Sequence, residues 1–168
     1  MELTPLPLTL AAATPADVPT LLLLIGELAE FERLAHEVVV TEARLHEALF
    51  CARPIVETVI ARVDGEVAGF ALYFHNFSTF LGRSGLYLED LYVRPAFRGH
   101  GVGRDLLVHI AGIAGARGCG RMEWSVLNWN RRAIGFYESL GARPVNDWTV
   151  YRLDRAGLEA LQTPRPRE

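Results

Sequence analysis

The chain has 168 residues, half of them hydrophobic and 22% charged, the balance of one soluble globular domain with a sizeable core. A formal net charge of −3 argues against a nucleic-acid partner, which would demand a basic face. Two cysteines, Cys51 and Cys119, form neither a metal-ligand spacing nor a disulfide framework and suit a reducing, cytoplasmic setting.

Residues 6–12 read as a first strand. Thr14 reads as a helix N-cap, with Pro15 at the first helical position and Asp17 at the third. Leu21, Leu22, Ile25, Leu28, Ala29 and Phe31 then form an apolar stripe. The aliphatic stretch 21–25 is far too short to span a bilayer, and no basic region precedes an apolar run at the N-terminus, so neither membrane insertion nor secretion is expected. Thr41 caps a second short helix over 42–50. The β-branched and aromatic runs 56–63 and 66–74 are joined by Asp64-Gly65, the strong signal for an antiparallel hairpin. Residues 75–85 read as a polar loop, 86–93 as the next strand, and Pro95 as its end. From Asp105 to Arg117 a helical pattern places Leu106, Leu107, Ile110, Ala111 and Ala114 on one face, stopped by Gly118. A strand over 121–126 follows, then a helix over 131–140 capped by Asn130 and terminated by Gly141, and a last strand over 149–153. Residues 163–168, with two prolines, form a frayed tail. No repeat or linker interrupts the chain, so residues 1–168 read as one mixed α/β domain: antiparallel strands first, then a strand–helix–strand–helix core.

The run Arg98-Gly-His-Gly-Val-Gly103 lies between the 86–93 strand and the following helix. Such a turn makes an anion cradle: glycines let the backbone approach closely, and the first-turn N–H groups lack intrahelical partners. The helix dipole adds to this, and Arg98 and Arg104 bracket the turn with positive charge. A pyrophosphate is the simplest ligand. The Walker A pattern is absent because no Gly-Lys-Ser/Thr follows. The dinucleotide fingerprint fails because Leu106 stands at the third glycine position. The five histidines show no His-x-x-x-His spacing, and no Gly-x-Ser-x-Gly elbow is present, so no metal and no serine nucleophile are expected.

The pattern Arg98-x-x-Gly101-x-Gly103 resembles the coenzyme A signature of the GNAT acyltransferase superfamily. The resemblance extends beyond it, through LYLEDLYV just upstream and WSVLNWN leading into RRAIGFYESLGA downstream. ELAEFE, GFALYFHNFSTFLGRSGLYLED and DWTVYRL narrow it to the spermidine/spermine (diamine) and thialysine N-acetyltransferase group, from about Glu27 to Leu153. The resemblance implies a mostly antiparallel mixed sheet flanked by helices, with a splayed strand pair that binds the pantetheine arm of acetyl-CoA. It also implies a homodimer that meets its partner near residues 148–153.

It further implies roles. Leu91, Tyr92 and Val93 would pair with pantetheine by main-chain strand addition. Arg98, Gly99, His100, Gly101, Val102, Gly103 and Arg104 would hold the pyrophosphate, and Asn130 and Ala133 would lie along the pantetheine arm. Tyr137, one turn beyond Ala133, would be the acid that protonates the leaving thiolate. Glu89 would accept the amine proton, through water. Neighbours on a strand point to opposite faces, so only one of the two can face a given side of the sheet, which leaves Asp90 to hold substrate or support the fold. Phe31 and Glu32 would line the amine channel, suiting a cation by stacking and charge. Each residue also has a plainer role: Asn130 as a helix cap, Tyr137 as a tyrosine packed beside Phe136, Glu89 as a solvated carboxylate. The chain departs from the polyamine pattern at Arg33, Leu34, Ala35 and His36, where an acidic run is diluted, at Phe80, where a tryptophan is more usual, and at Asn146. A shorter amine, or an amino acid with a terminal amine, is then at least as fitting an acceptor as spermidine or spermine. The expected activity is acetylation of a small cationic amine. The alternatives are acetylation of protein lysines or N-termini, and a non-catalytic coenzyme A sensor.

Overall fold

The computed structural model describes residues 7–162, so the Leu6 start expected for the first strand and the expectation for residues 163–168 lie outside the described residues. The chain falls into two compact units, one ending at Leu127 and the other beginning at Asn128.

The first unit opens with β1, Leu8–Ala12. The Asp17 carboxylate accepts both the Thr14 backbone N–H and the Thr14 hydroxyl at 2.8 Å. This reciprocal cap starts a short 3-10 turn, Pro15–Asp17, rather than an α-helix at once. Helix α1, Val18–Glu32, follows; Pro19 sits in its first turn, where a missing N–H costs nothing. It buries Val18, Leu21, Leu24 and Ala29, whereas Phe31, expected in the stripe, is 40% exposed. The helix ends where Arg33 turns left-handed at φ 62°. Helix α2, Glu42–Phe50, has the expected bounds, with the Thr41 hydroxyl accepting from the Arg44 N–H at 3.3 Å.

Strands β2, Glu57–Val63, and β3, Glu66–Ser78, form the hairpin. Asp64 at φ 50° and Gly65 at φ 79° supply the two positive-φ positions that such a tight turn requires. The expected 75–85 loop shrinks to 79–82, because β3 runs on to Ser78 and β4 spans Arg83–Val93. The Gly85 that looked like loop composition is a close-packing position: a Cβ there would collide with the Asn76 side-chain oxygen of the paired strand.

Helix α3, Val102–Ala116, begins ahead of Asp105 because Gly101, at φ 87°, turns the chain into it. Its buried face is Val102, Leu106, Leu107, Ile110 and Ala114; Ala111 points to solvent. Strand β5 is only Met122–Glu123, shorter than expected. The sheet order is β1-β2-β3-β4-β5; the first four are antiparallel neighbours and β5 lies parallel to β4 after the α3 crossover. On one face Ile60, Phe70, Leu72 and Tyr92 pack with Val18, Leu21 and Leu24 of α1 and Leu45 and Leu49 of α2. Helix α3 packs against β4 and β3.

The second unit carries α4, Arg131–Ser139, and α5, Arg155–Gln162. Two expectations change here. Residues 149–153 are not a strand; an extended apolar sequence needs a neighbouring strand to complete its ladder, and none pairs with it among the described residues. Helix α5 was not expected. Its start is set by the Asp154 carboxylate, which accepts the Gly157 N–H at 2.7 Å, and by the Arg155–Glu159 pair one turn apart at 2.6 Å. Gly157 inside the segment obscured that pattern.

Candidate active site

The site is built on the second half of β4. The parallel ladder to β5 covers only Leu86↔Met122 and Tyr87↔Glu123, so the two strands part beyond Tyr87. On the other side, the antiparallel ladder to β3 skips one residue: Leu72 pairs with Asp90 and Tyr73 with Leu88. Glu89 is therefore the extra residue of a β-bulge, exposed and without a ladder partner. This corrects the expectation of strict alternation, which holds only in a regular strand. Beyond the bulge, the Arg94 N–H donates to Ala68 of β3 at 2.8 Å. Alternation from there turns the backbone groups of Leu91 and Val93 toward the edge left by β5, and those of Tyr92 toward β3. Of the three expected pantetheine-pairing residues, Leu91 and Val93 thus carry the free-edge groups. Tyr92 contributes a buried ring beneath α1.

Asp90 shares the face of Leu72, on the α1 side. Burial, then the charges of Glu89 and Glu32, push its carboxyl from 3.8 up to about 7. Glu32, the last residue of α1, is itself raised by burial. Three of the expected residues, Glu32, Glu89 and Asp90, are therefore electrostatically coupled at the end of α1, where Phe31 precedes Glu32. A cation placed there would relieve the mutual repulsion, as a protonated amine does.

Two contacts tie α1 to the end of β4. Glu27 accepts from Arg94 in a two-pronged pair, at 3.0 and 2.8 Å. One turn on, the Phe31 ring lies 4.8 Å beneath the Arg98 guanidinium, which also faces the Tyr92 ring at 5.7 Å and donates its Nε–H to the Val93 carbonyl at 2.8 Å. Tyr92 is raised by burial and then by Glu27. Glu27 and Arg94 were missed in the sequence. The available signal was Glu27 standing four residues before Phe31 on the same helix face.

The glycine-rich turn has the geometry of an anion cradle. Gly99 at φ 83° and Gly101 at φ 87° are left-handed, and among the described residues no side chain caps α3. The N–H groups of Val102, Gly103 and Arg104 stand at the helix start. Val102 is buried and anchors the turn, while Gly99, His100, Gly101 and Arg104 are exposed. A bare helix start next to a free strand edge fits a ligand that carries both a pyrophosphate and an amide-bearing arm, as acetyl-CoA does.

In the second unit, the Asn130 side chain accepts the Ala133 N–H at 3.1 Å, so the cap role is real. Tyr137 follows Ala133 by one turn, half-buried, with its ring 5.3 Å from Phe136. Another cluster escaped the sequence reading altogether. Arg117 grips Glu57 at 2.5 and 2.8 Å, and Tyr73 donates to the same carboxylate at 3.3 Å. Burial and Glu57 push the Tyr73 phenol up to about 12.

Comparison with known proteins agrees with this geometry. The model of the acetyltransferase (GNAT) family matches residues 25–142. An L-ornithine N5-acetyltransferase of Arabidopsis thaliana is 34% identical, over 89% of this chain and 85% of its own. The thialysine N-epsilon-acetyltransferase of Bos taurus is 34% identical, over 89% of this chain and 94% of its own. Among solved structures, an integron cassette protein from the mobile metagenome of V. cholerae superposes with a TM-score of 0.78 at 27% identity, covering 94% of this chain and 98% of that one. With its bulged, splayed β4 and its glycine-capped α3, the chain belongs to the GNAT acetyltransferase family and is an acetyl-CoA-dependent N-acetyltransferase.

Proposed function

We propose that the protein moves the acetyl group of acetyl-CoA to the terminal amine of a small cationic acceptor, with lysine- or ornithine-like amino acids favoured over polyamines. The observation that carries this is the coupled carboxylate group Glu32, Glu89 and Asp90 where β4 bulges and parts from β5, with Phe31 the residue before Glu32 on α1. Two observations favour an amino acid. The segment after Glu32 is Arg33-Leu34-Ala35-His36 rather than acidic, and the named relatives act on ornithine and thialysine.

In this reading Leu91 holds the pantetheine arm through its backbone groups, Val93, whose carbonyl accepts from Arg98, presents its N–H at the acetyl end of the arm, and residues 99–104 hold the pyrophosphate by backbone N–H groups. Asn130 and Ala133 contribute along the arm. Acetyl-CoA supplies an activated thioester. Asp90, Glu32 and Phe31 hold the cationic amine. Glu89, exposed on its bulge, accepts the amine proton through water, because an alkyl amine with a pKa of about 10 is almost wholly protonated at neutral pH. The Val93 N–H polarises the acetyl oxygen, and Tyr137 returns a proton to the thiolate. Direct attack leaves Cys51 and Cys119 without a catalytic role. We also infer a cytoplasmic homodimer without nucleic-acid or membrane partners. The support is the mild negative charge and the exposed Trp148, Val150, Tyr151 and Leu153.

The test is free-thiol release from acetyl-CoA against lysine, thialysine, ornithine, putrescine, spermidine, spermine and a basic peptide. Saturable turnover on the amino acids supports the reading. Turnover on the peptide alone replaces it with protein acetylation, and acetyl-CoA binding without turnover on any acceptor replaces it with a sensor.

A further inference from the structure

We propose that Arg98 is a positioning residue rather than a phosphate ligand: it fixes the Val93 carbonyl and the Phe31 ring to one another, so the acyl-donor edge and the amine-lining helix keep one spacing. The motif position alone assigns this arginine to the pyrophosphate. Its side chain has other partners. The Nε–H is committed to the Val93 carbonyl at 2.8 Å, and that carbonyl is one of the free-edge groups of β4. The guanidinium carbon lies over the Phe31 ring at 4.8 Å and over the Tyr92 ring at 5.7 Å. A guanidinium over two rings that also donates an Nε–H bond to a carbonyl fills a role a lysine cannot. The Glu27–Arg94 pair makes a second tie, one helical turn earlier on α1, at 2.8 Å. Arg98 is thus the point where the glycine-rich turn, the donor edge and the amine helix meet.

This inference rests on the amine-acetylation reading, and the experiment separates the two. Wild type is first shown to turn over an amine. Acetyl-CoA affinity by calorimetry, and amine KM and kcat, are then measured for R98K, R98M and F31L, with folding checked by circular dichroism. Both Arg98 variants should raise amine KM about tenfold, change kcat about twofold, and leave acetyl-CoA affinity within about threefold. R98K should rescue nothing. F31L alone should raise amine KM about fivefold, and the double variant should fall short of the product of the two single effects, because the Arg98–Phe31 contact is lost in both; what F31L still adds in the R98M background is the ring's own contact with the amine. The proposal is overturned if R98M weakens acetyl-CoA binding by about tenfold or more and R98K restores it, the behaviour of a phosphate ligand. It is overturned equally if the F31L and R98M effects on KM multiply. Should R98M fail to fold, R98K and F31L carry the same comparison. If wild type acetylates no amine, the functional reading fails, and the acetyl-CoA affinities of R98K and R98M still decide the role of Arg98.

Discussion

Asp90 is where sequence and structure differ most usefully at the scale of single residues. Two adjacent acids in an apolar strand were visible, and so was the need for one of them to face the amine. The bulge was not visible, because it is a register shift against β3 rather than a property of β4 alone. The bulge sets Asp90 on the α1 side, where burial, Glu89 and Glu32 raise it to about 7. The linkage has a definite sign. A carboxyl raised from 3.8 to about 7 stabilises the fold in its protonated form, so that contribution is complete below pH 3.8 and is lost as pH rises through about 7. Asp90→Asn should therefore gain on wild type by about 2 kcal/mol between pH 5 and pH 8. Urea unfolding at the two pH values measures it, and an unchanged difference contradicts the assignment. The same ionisation should appear in catalysis as a rise of kcat/KM through neutral pH, reporting the coupled carboxylates as a set. Tyr137→Phe should lower kcat by about a hundredfold with acetyl-CoA affinity intact, if the phenol is the acid; single-turnover rates read this directly.

At the scale of elements, what was legible was local. The Asp64-Gly65 hairpin, the Thr41 and Asn130 caps and the glycine-rich turn each follow from a few neighbouring residues, and each stands where expected. What was not legible depends on a partner elsewhere in the chain. Strand β3 extends through His75 and Asn76 because β4 pairs with them, not because they favour strand. Residues 149–153 have strand composition but no partner among the described residues. Gly69 is a case where pairing dictates composition: a Cβ there would collide with the Tyr92 carbonyl of the neighbouring strand. Gly69→Ala should destabilise by about 2 kcal/mol and disturb the β4 edge, seen as a lower urea midpoint together with weaker acetyl-CoA binding. Asn130→Ala should cost about 1 kcal/mol through loss of the α4 cap, and a thermal melt reports it.

For the whole molecule, the phosphate cradle and its strand–turn–helix setting pointed to the family from a handful of residues. The proposed choice of acceptor rests on side chains from α1, β4 and the turn after β4 that meet only in the fold, such as Glu32 with Asp90 and Phe31 with Arg98. Exposed Trp148, at 73%, and Tyr151, at 91%, are the surface on which the proposed homodimer rests. Sedimentation of wild type at micromolar concentration should show a dimer, and a Trp148→Glu/Tyr151→Glu variant an 18.7 kDa monomer. A wild type that sediments only as the monomer contradicts that assembly. The central claim is the acceptor, and its most direct measurement is the ratio of kcat/KM for ornithine to that for spermidine, with the acetylated products identified by mass spectrometry. A ratio of about ten or more, with the acetyl group on the terminal nitrogen of the amino acid, is predicted. A ratio below one, with acetylated spermidine as the main product, contradicts it.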